Sequence, residues 1–479
     1  MTSSTMTRGM LMLAAGLLAT LPAMAAAPGD AHVNVVVPAH QNLVLPNGLK
    51  LILVPRPDLP LVAFNLVLRG GARLDPPGRE GTAALTADLL TYGAGARDAY
   101  EWADTVEGAG GNLDAGAQGE AILVRGQFLA RDGKLMLQLL ADAVLRPHFA
   151  ADDFGKLRDR RIEELKAIKD SSPEALIGNY GRALLFGTHA YARAVGGSEA
   201  SLARITHDDI SHFYASEFGA DRATLVIAGD FVPAQMQQAV AAAFGGWRRA
   251  PQALPPLAEP QPIKGRRVLL VDAPGAAQSY FWLGNVGVPR RYPQRAALQI
   301  SNGAFGGRFG SMLNQELRVK AGLTYSASSA FSRGTVPGEF AISSFTQTAN
   351  TMKAVELALA TLARLRQSGL DAATLDSARA YLLGQYPLAF ETSAHWAVAL
   401  GDLDLYGLPD SYIGHFGSDL TATDAAAVSS VIASAYPDPA DLAIVLIGDA
   451  AKIRAEVAKL GAVTELPLAA PDFVPPPAT

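Results

Sequence analysis

The segment RATLVIAGDF, residues 222–231, is a run of aliphatic residues that ends in Gly229-Asp230. A short apolar run that stops at a glycine turn predicts a buried strand. The segment DLAIVLIGDA, residues 441–450, repeats the pattern almost position for position. Any buried strand can end in Gly-Asp, so one match alone would be weak. Two units of about 200 residues that both close on this pattern indicate an internal duplication.

Each unit opens with two apolar runs that predict strands. In LVLPNGLKLILVPRPDLPLVAFNLVLRGGARLDP, residues 43–76, a hairpin is the simplest pairing of the two runs. In the second unit RRVLLVDAPGAAQSYFWLGNVGVPR, residues 266–290, predicts a matching pair. The rest of the first unit predicts a strand around residues 111–129 and helices at 80–92, 98–108, 131–144 and 151–169. This alternation predicts α+β domains with a largely antiparallel sheet.

A proline-rich segment separates the two units. RRAPQALPPLAEPQP, residues 248–262, contains five prolines, which exclude a helix and favour an extended spacer. We therefore predict a first domain at 33–247, a second domain at 263–465 and a Pro-rich tail at 466–479.

The N-terminus has the features of a secretory signal. Arg8 precedes an apolar run at 10–21, and small residues stand at Ala23 and Ala25. The run is shorter than the about 20 residues that cross a bilayer. We predict a signal peptide at 1–25 and an exported mature chain with no membrane span, in the periplasm if the host is a Gram-negative bacterium.

Composition limits the chemistry that the chain can use. It has no cysteine, which excludes disulfides, lipid attachment through cysteine and thiolate metal sites. Its net charge is −5 and it has no basic block, so nucleic acid is not an expected partner.

Several segments in a fixed order resemble the insulinase and pitrilysin family of zinc peptidases, whose motif is His-x-x-Glu-His. They extend over essentially the whole mature chain: LPNGLKLILVP, GGARLDPPGREG, RPHF, SSPEAL, the two Gly-Asp strand ends and GGRFGSMLNQELRVKAGLTYSASS. The resemblance implies two homologous α+β domains, each a mainly antiparallel sheet packed by helices. Together they would form one half-shell of a clam-like peptidase.

The zinc motif itself is degenerate. The resemblance places it in GREGTAALTADLLTYGAG, residues 78–95, on Ala84, Ala87 and Asp88. Alanine can neither bind zinc nor activate its water. Glu164 stands where the family has its third ligand, and Asp88 with Glu164 would be at best a weak site for a hard metal. Two solvated surface acids are the simpler reading, and we expect no metal on this chain.

The histidines do not supply a replacement site. His207 and His212 lie on a predicted helix that Thr206 caps, with a spacing that turns the two rings to different faces. The others are isolated in the sequence: His32, His40, His148, His189, His395 and His415.

The second domain retains a pair of polar residues in LRVKAGLTYSASS, Arg318 and Tyr325. The resemblance implies that this pair belongs to the zinc-free half and reaches the substrate held by the other half. Arginine offers donors to a peptide carbonyl or carboxylate, and a tyrosine hydroxyl can stabilise an oxyanion. The alternative is a solvated arginine beside a half-buried tyrosine.

Two glycine-containing segments do not belong to the predicted site. GGRFGSML, residues 306–313, lacks the Lys-Ser/Thr ending of a P-loop and the third glycine of a dinucleotide-binding fingerprint. GGNLDAGAQGEAILVR, residues 110–125, resembles the strand to which the family adds substrate, but Asp114 stands where Asn is usual.

Three hypotheses follow from the sequence. The first is a zinc-free, substrate-binding subunit of an exported heteromeric metallopeptidase that acts on peptides, inactive without a homologous partner that carries the zinc. The second is an inactive scaffold or peptide-binding protein on a peptidase fold. The third is a stand-alone hydrolase with a non-standard metal site at Asp88 and Glu164.

Overall fold

Two six-stranded sheets organise the computed structural model, which describes residues 34–475. The first sheet contains β1 (Gln41–Val44), β2 (Lys50–Pro55), β3 (Leu61–Arg69), β4 (Asn112–Ala117), β5 (Ala121–Leu129) and β6 (Ala223–Gly229), in the spatial order β1-β2-β6-β3-β5-β4. The second contains β7 (Arg267–Asp272), β8 (Gln278–Val286), β9 (Ala327–Arg333), β10 (Pro337–Gln347), β11 (Ala443–Gly448) and β12 (Val463–Pro467), in the order β12-β7-β11-β8-β10-β9. The predicted signal peptide lies outside the described residues, as does the end of the predicted tail, 476–479.

The helices also fall into two groups along the chain. Those of the first half are α1 (Thr82–Leu89), α2 (Ala99–Gly108), α3 (Gly133–Leu145), α4 (Ala151–Ser171), α5 (Ile177–Phe186), α6 (Glu199–Arg204), α7 (His207–Glu217) and α8 (Pro233–Phe244). Those of the second half are α9 (Arg295–Phe305), α10 (Thr351–Ser368), α11 (Ala372–Gln385), α12 (Ser393–Tyr406), α13 (Ser411–Gly414), α14 (Phe416–Ala422), α15 (Ala425–Ala435) and α16 (Ala450–Val457), with a π-helix at Asn314–Lys320. Within residues 34–475, none of the helices combines the length and the apolar character that a membrane crossing requires.

The closing strand of each half lies between the two strands that open it. β6 pairs in parallel with β2 and antiparallel with β3, so the predicted β2–β3 hairpin is wrong. All seven residues of β6 are buried. A strand buried on both faces is best placed inside a sheet, where both of its edges are hydrogen-bonded. β11 takes the same position between β7 and β8.

This repeated strand order confirms the internal duplication and the α+β class with two homologous domains. The outer pairs β3–β5, β4–β5, β8–β10 and β9–β10 are all antiparallel, and the predicted mainly antiparallel sheets are therefore confirmed. The single strand predicted around 111–129 is instead the β4–β5 hairpin, whose turn is closed by the Gln118 N–H and the Ala121 carbonyl at 2.7 Å. The linker 248–262 contains no helix or strand.

Each sheet is covered on one face by a helix from the other half. α5 packs on β8 and β11, and α12 packs on β3 and β6. A glycine faces the sheet in both places. A Cβ atom at Gly181 would lie 2.6 Å from the ring of Trp282, and one at Gly401 would lie 2.6 Å from the amide of Asn65. Asn65 and Trp282 occupy corresponding positions in the two sheets, because each pairs with the closing strand of its own half.

This exchange of helices interlocks the two halves. Residues 34–475 belong to one compact unit, in which residues 41–229 supply the strands of the first sheet and residues 267–467 those of the second. The chain after β12 adds a further connection, since the buried ring of Phe473 packs edge-to-face on Tyr180 of α5 at 5.0 Å.

An ion-pair cluster fastens α12 to the first sheet. The carboxylate of Asp404 accepts hydrogen bonds from Lys50 Nζ at 2.7 Å and from Thr224 Oγ1 at 2.6 Å, and it pairs with Arg69. Burial by itself would raise the pKa of Asp404, but the positive charges of Arg69 and Lys50 and the hydrogen bonds outweigh it and hold the pKa below its ordinary value. The folded state therefore favours the charged carboxylate.

Replacing Asp404 by asparagine is expected to lower the free energy of unfolding by about 2–3 kcal/mol at neutral pH, because it leaves the partly buried Arg69 without its carboxylate partner. Since the folded pKa lies below the unfolded one, the charge-dependent contribution is complete above the unfolded pKa of about 3.9 and is lost as the pH falls through the folded pKa. Urea titrations should therefore show a smaller difference in the free energy of unfolding between the native chain and Asp404→Asn at about pH 3 than at neutral pH. Asp58→Asn is the matched control, because Asp58 pairs with Arg56 while 69% exposed. An equal effect of both substitutions would contradict the prediction.

Candidate functional site

Arg318 and Tyr325 lie at the end of the π-helix and in the loop that follows it. The π-helix ends at Lys320, and the chain turns at Gly322, whose φ of 61° is left-handed and suits a residue without a Cβ. The Leu323 N–H then donates to the Leu317 carbonyl at 2.8 Å and turns the chain back toward the sheet. Helices of the π type are rare and occur often at functional sites.

The loop that carries Tyr325 is fixed at both ends. The Thr346 hydroxyl donates to the Leu323 carbonyl at 2.7 Å, and the Ser344 hydroxyl donates to the Ser326 carbonyl at 2.8 Å. The Ala327 N–H donates to the side chain of Asn314 at 3.0 Å. The backbone around Tyr325 is thus held by β10 and by the π-helix.

Two aromatic rings hold the guanidinium of Arg318. Its Cζ atom lies 4.4 Å from the ring centre of Tyr325 and 4.5 Å from that of Phe309. Tyr325 is 73% exposed and Phe309 65% exposed, so Tyr325 is not half-buried in a strand. Within residues 34–475 the guanidinium forms no ion pair, which leaves its N–H donors available to a ligand.

Phe309 is a further member of this cluster that the sequence does not predict. The glycines of its segment, GGRFGSML, suggest at most a phosphate-binding loop. An aromatic residue between glycines was the available signal, because loop glycines leave large apolar side chains exposed. The contact between this ring and Arg318 depends on the π-helix that carries Arg318, which the sequence does not predict.

The degenerate zinc positions lie on α1. Ala84 is 6% exposed and Ala87 is fully buried in the core of the first half. Asp88 accepts a hydrogen bond from Nε of Arg161 at 2.9 Å. Burial raises the pKa of Asp88, although the positive charge of Arg161 opposes the shift.

Glu164 lies near Asp88 but is engaged by a different arginine. Its side chain is 55% exposed and pairs with Arg160 at 3.5 Å, and Arg160 also donates to the Tyr92 hydroxyl at 2.9 Å. A cation shared by Asp88 and Glu164 would have to displace guanidinium groups from its neighbourhood. Among residues 34–475 there is no group of three His, Cys, Asp or Glu side chains placed to hold a metal.

Two family models cover most of the chain. The model of the insulinase family, peptidase family M16, matches residues 52–194, and the model described as the peptidase M16 inactive domain matches residues 204–382. The chain belongs to the insulinase family. The first match contains the degenerate zinc positions, and the inactive-domain match contains Arg318 and Tyr325.

Relatives of this insulinase-family chain include proteins with two kinds of name. An uncharacterized zinc protease of Mycobacterium leprae is 28% identical over 365 residues, which cover 76% of this chain and 82% of the relative. The non-peptidase homolog YmxG of Helicobacter pylori is 26% identical over 339 residues, 70% of this chain and 77% of the relative. A solved structure, the peptidase M16 inactive domain from Pseudomonas fluorescens, has a TM-score of 0.80 at 25% identity and covers 86% of this chain and 98% of its own.

Two of the four edge strands of this insulinase-family fold, β4 and β9, differ in accessibility. The outer edge of β9 is covered, because the Ser329 N–H donates to the Gly306 carbonyl at 3.1 Å and the Asn302 amide donates to the Ser329 carbonyl at 3.1 Å. In the part of the chain that the structure describes, the backbone of β4 hydrogen-bonds only to its neighbour β5. β4 therefore presents an open edge, and β9 does not.

The two neighbouring histidines have structural surroundings. α7 begins after Thr206, whose side chain accepts a hydrogen bond from the Asp209 N–H, as the sequence predicts. A ring nitrogen of His207 contacts the Phe149 carbonyl at 2.6 Å, whereas His212 is exposed on another face of the helix.

Proposed function

We propose that the chain is the zinc-free, substrate-binding subunit of an exported heteromeric zinc metallopeptidase that degrades or processes peptides. The observation that carries the proposal is the contact of Arg318 with the exposed rings of Tyr325 and Phe309, on a loop that β10 and the π-helix hold by hydrogen bonds. The substitutions at Ala84 and Ala87 support the assignment of zinc to a homologous partner.

The chemistry of the cluster suits a peptide that is bound and hydrolysed. The stacked guanidinium presents planar N–H donors that suit a main-chain carbonyl or a carboxylate. The Tyr325 hydroxyl is positioned on an exposed loop, from which it can donate to a developing oxyanion. Zinc on the partner would activate the attacking water.

The open edge of β4 supports binding of an extended peptide. A peptide that adds to a sheet edge gains main-chain hydrogen bonds without requiring a defined sequence. Asp114 of β4 lies opposite Arg125 of β5, so the charge that replaces the usual Asn is close to a basic residue. We propose β4 as a second place of contact with the substrate.

A scaffold or peptide-binding protein without catalysis is the second candidate. The name of the Helicobacter pylori relative, a non-peptidase homolog, favours it. The two candidates differ in one requirement, because only the first needs a zinc-bearing partner for its function. The stand-alone hydrolase is opposed by the arginines that engage both Asp88 and Glu164.

The mature chain alone is expected to hold no stoichiometric zinc and to cleave no unfolded peptide, because neither Ala84 nor Ala87 can serve as ligand or base. Mixed with an exported homologue from the same host that contains His-x-x-Glu-His, it should form a complex and raise that protein's peptidase activity. Elemental analysis, sedimentation and peptide cleavage measure the three outcomes. About one tight zinc per isolated chain would exclude the proposal, and a partner whose activity is unchanged by the chain would favour the scaffold.

A ligand-restoring variant provides the positive control for the zinc measurement. Ala84→His with Asp88→His, combined with native Glu164, supplies three ligands, and Arg161→Ala removes the guanidinium that now pairs with residue 88. The variant leaves Ala87 in place because a glutamate there would be buried in the core. A folded variant that gains no zinc would contradict the assigned motif positions.

A further inference from the structure

A cavity of about 440 Å³ lies where the hairpin turns of the two halves meet. It is lined by the β4–β5 turn and by the β9–β10 turn, with further side chains from α5, the segment after α5 and the end of α12. Its volume is in the range of small-molecule and peptide sites. The charged residues of the lining are three arginines and two glutamates: Arg182, Arg193, Arg333, Glu120 and Glu339.

Four of these five charges are engaged by the protein itself. The buried carboxylate of Glu120 accepts hydrogen bonds from the Tyr191 hydroxyl at 2.5 Å and from the Thr335 N–H at 2.8 Å, which joins the two turns. Arg182 pairs with Glu339 at 3.7 Å. Arg193 donates to a backbone carbonyl of the first half. The lining as a whole therefore retains one net positive charge.

Arg333 is the charge that remains. Within residues 34–475 it forms no ion pair with a carboxylate, and its Nη1 atom is buried without a hydrogen-bond partner. Burial lowers the pKa of Arg333, and the positive charges of Arg290 and Arg295 lower it further, although Tyr412 opposes the shift. A partly buried guanidinium beside two others is costly without an anion to compensate it.

The surrounding residues do not supply that anion. Asp402 pairs with Arg290 at 3.4 Å, and Nε of Arg290 is itself buried without a partner. Arg295 is stacked on Tyr412, with its Cζ atom 3.7 Å from the ring centre. At the cavity wall Tyr406 adds a hydroxyl that makes no hydrogen bond with residues 34–475. Arg333 and Tyr406 both line this cavity, and an occupant would meet the accessible atoms of Arg333, because Nη1 is enclosed by the protein.

We propose that this cavity binds the C-terminal carboxylate of a short peptide, held by Arg333 and Tyr406. A guanidinium and a hydroxyl both donate to a planar carboxylate. The single net positive charge matches a monoanion, whereas Glu120 and Glu339 in the same lining disfavour a doubly charged phosphate. The volume exceeds that of a bare ion and leaves room for the residues that precede the carboxylate.

Calorimetry of the mature chain with a tetra-alanine peptide tests the proposal. The N-acetylated peptide with a free C-terminus is expected to bind at least about tenfold more tightly than its C-terminal amide, because only the former carries the charge. Arg333→Gln is expected to remove this preference. Arg131→Gln, at a residue 80% exposed and outside the cavity lining, is the matched control and should bind like the native chain.

Equal binding of the acid and the amide by the native chain would overturn the proposal. Tighter binding of inorganic phosphate than of the peptide, at equal ionic strength, would overturn the assignment to a carboxylate. If Arg333→Gln does not fold, the proposal is tested by Tyr406→Phe together with the acid–amide comparison. Phenylalanine keeps the ring that lies near Arg290 and removes only the hydroxyl. A Tyr406→Phe variant with native affinity for the acid would remove Tyr406 from the site.

Discussion

Tyr325→Phe is expected to lower the turnover number of the reconstituted two-chain peptidase by about 10²- to 10³-fold, the usual cost of removing one donor to an oxyanion. The substitution keeps the ring that stacks on Arg318 and removes only the hydroxyl. Tyr325 is 73% exposed, so the loss of its hydroxyl should not affect the melting temperature. Turnover is measured with saturating unfolded peptide and the zinc-bearing partner, and complex formation is followed by sedimentation.

Arg318→Ala should have a different kinetic signature in the same assay. If its donors bind the peptide in the ground state and in the transition state alike, KM rises while turnover changes less. Phe309→Leu removes one of the two rings that hold the guanidinium and should weaken peptide binding in the same direction by a smaller factor. Tyr381→Phe is the matched control for Tyr325→Phe and should keep native activity. Tyr381 is also an exposed tyrosine, but it lies near Arg308 and not near Arg318.

Native activity of both Tyr325→Phe and Arg318→Ala in an assembled complex would remove the proposed role and support the scaffold. A loss of activity that accompanies a lower melting temperature or a dissociated complex would indicate a structural role. The proposed substrate-binding subunit requires lower activity with unchanged folding and unchanged assembly.

Gly181→Leu is expected to lower the free energy of unfolding by about 3 kcal/mol, at the upper end of the usual cost of overpacking. A Cβ atom at this position would lie 2.6 Å from the ring of Trp282, which is buried in the second sheet. The helix and the sheet come from different halves of the chain and cannot separate without exposing their shared apolar contact. Gly401→Leu should have a comparable effect, because it meets Asn65 and Val67 in the corresponding place.

Gly155→Leu provides the matched control for these substitutions. Gly155 lies within α4, and a Cβ atom there would have no neighbour within 4 Å. Leucine forms helices better than glycine by somewhat less than about 1 kcal/mol, so this variant should be neutral or slightly more stable. Urea unfolding followed by circular dichroism compares the three variants. Similar stability of Gly181→Leu and Gly155→Leu would show that α5 does not pack tightly on the second sheet.

The candidate site could be predicted only in part. Arg318 and Tyr325 were identified because their segment resembles that of a known family, and the structure places them in contact. Phe309 and the aromatic stacking were not predicted, since they depend on the turn at Gly322 and on hydrogen bonds from β10. The engagement of Asp88 by Arg161 was also hidden, because it joins α1 to α4 across a long stretch of sequence.

By itself, the sequence determined part of the helices and strands, the α+β class and the duplication, because the spacing of apolar residues reports which face of each segment is buried. Only the tertiary structure decided what covers each face. It placed β6 and β11 inside their sheets, exchanged α5 and α12 between the halves, and brought Arg333 to a cavity between two distant turns. Local periodicity cannot specify these contacts, since a buried strand or helix face is compatible with many partners. The choice among them depends on close packing and on charge pairing between residues that are far apart in the chain.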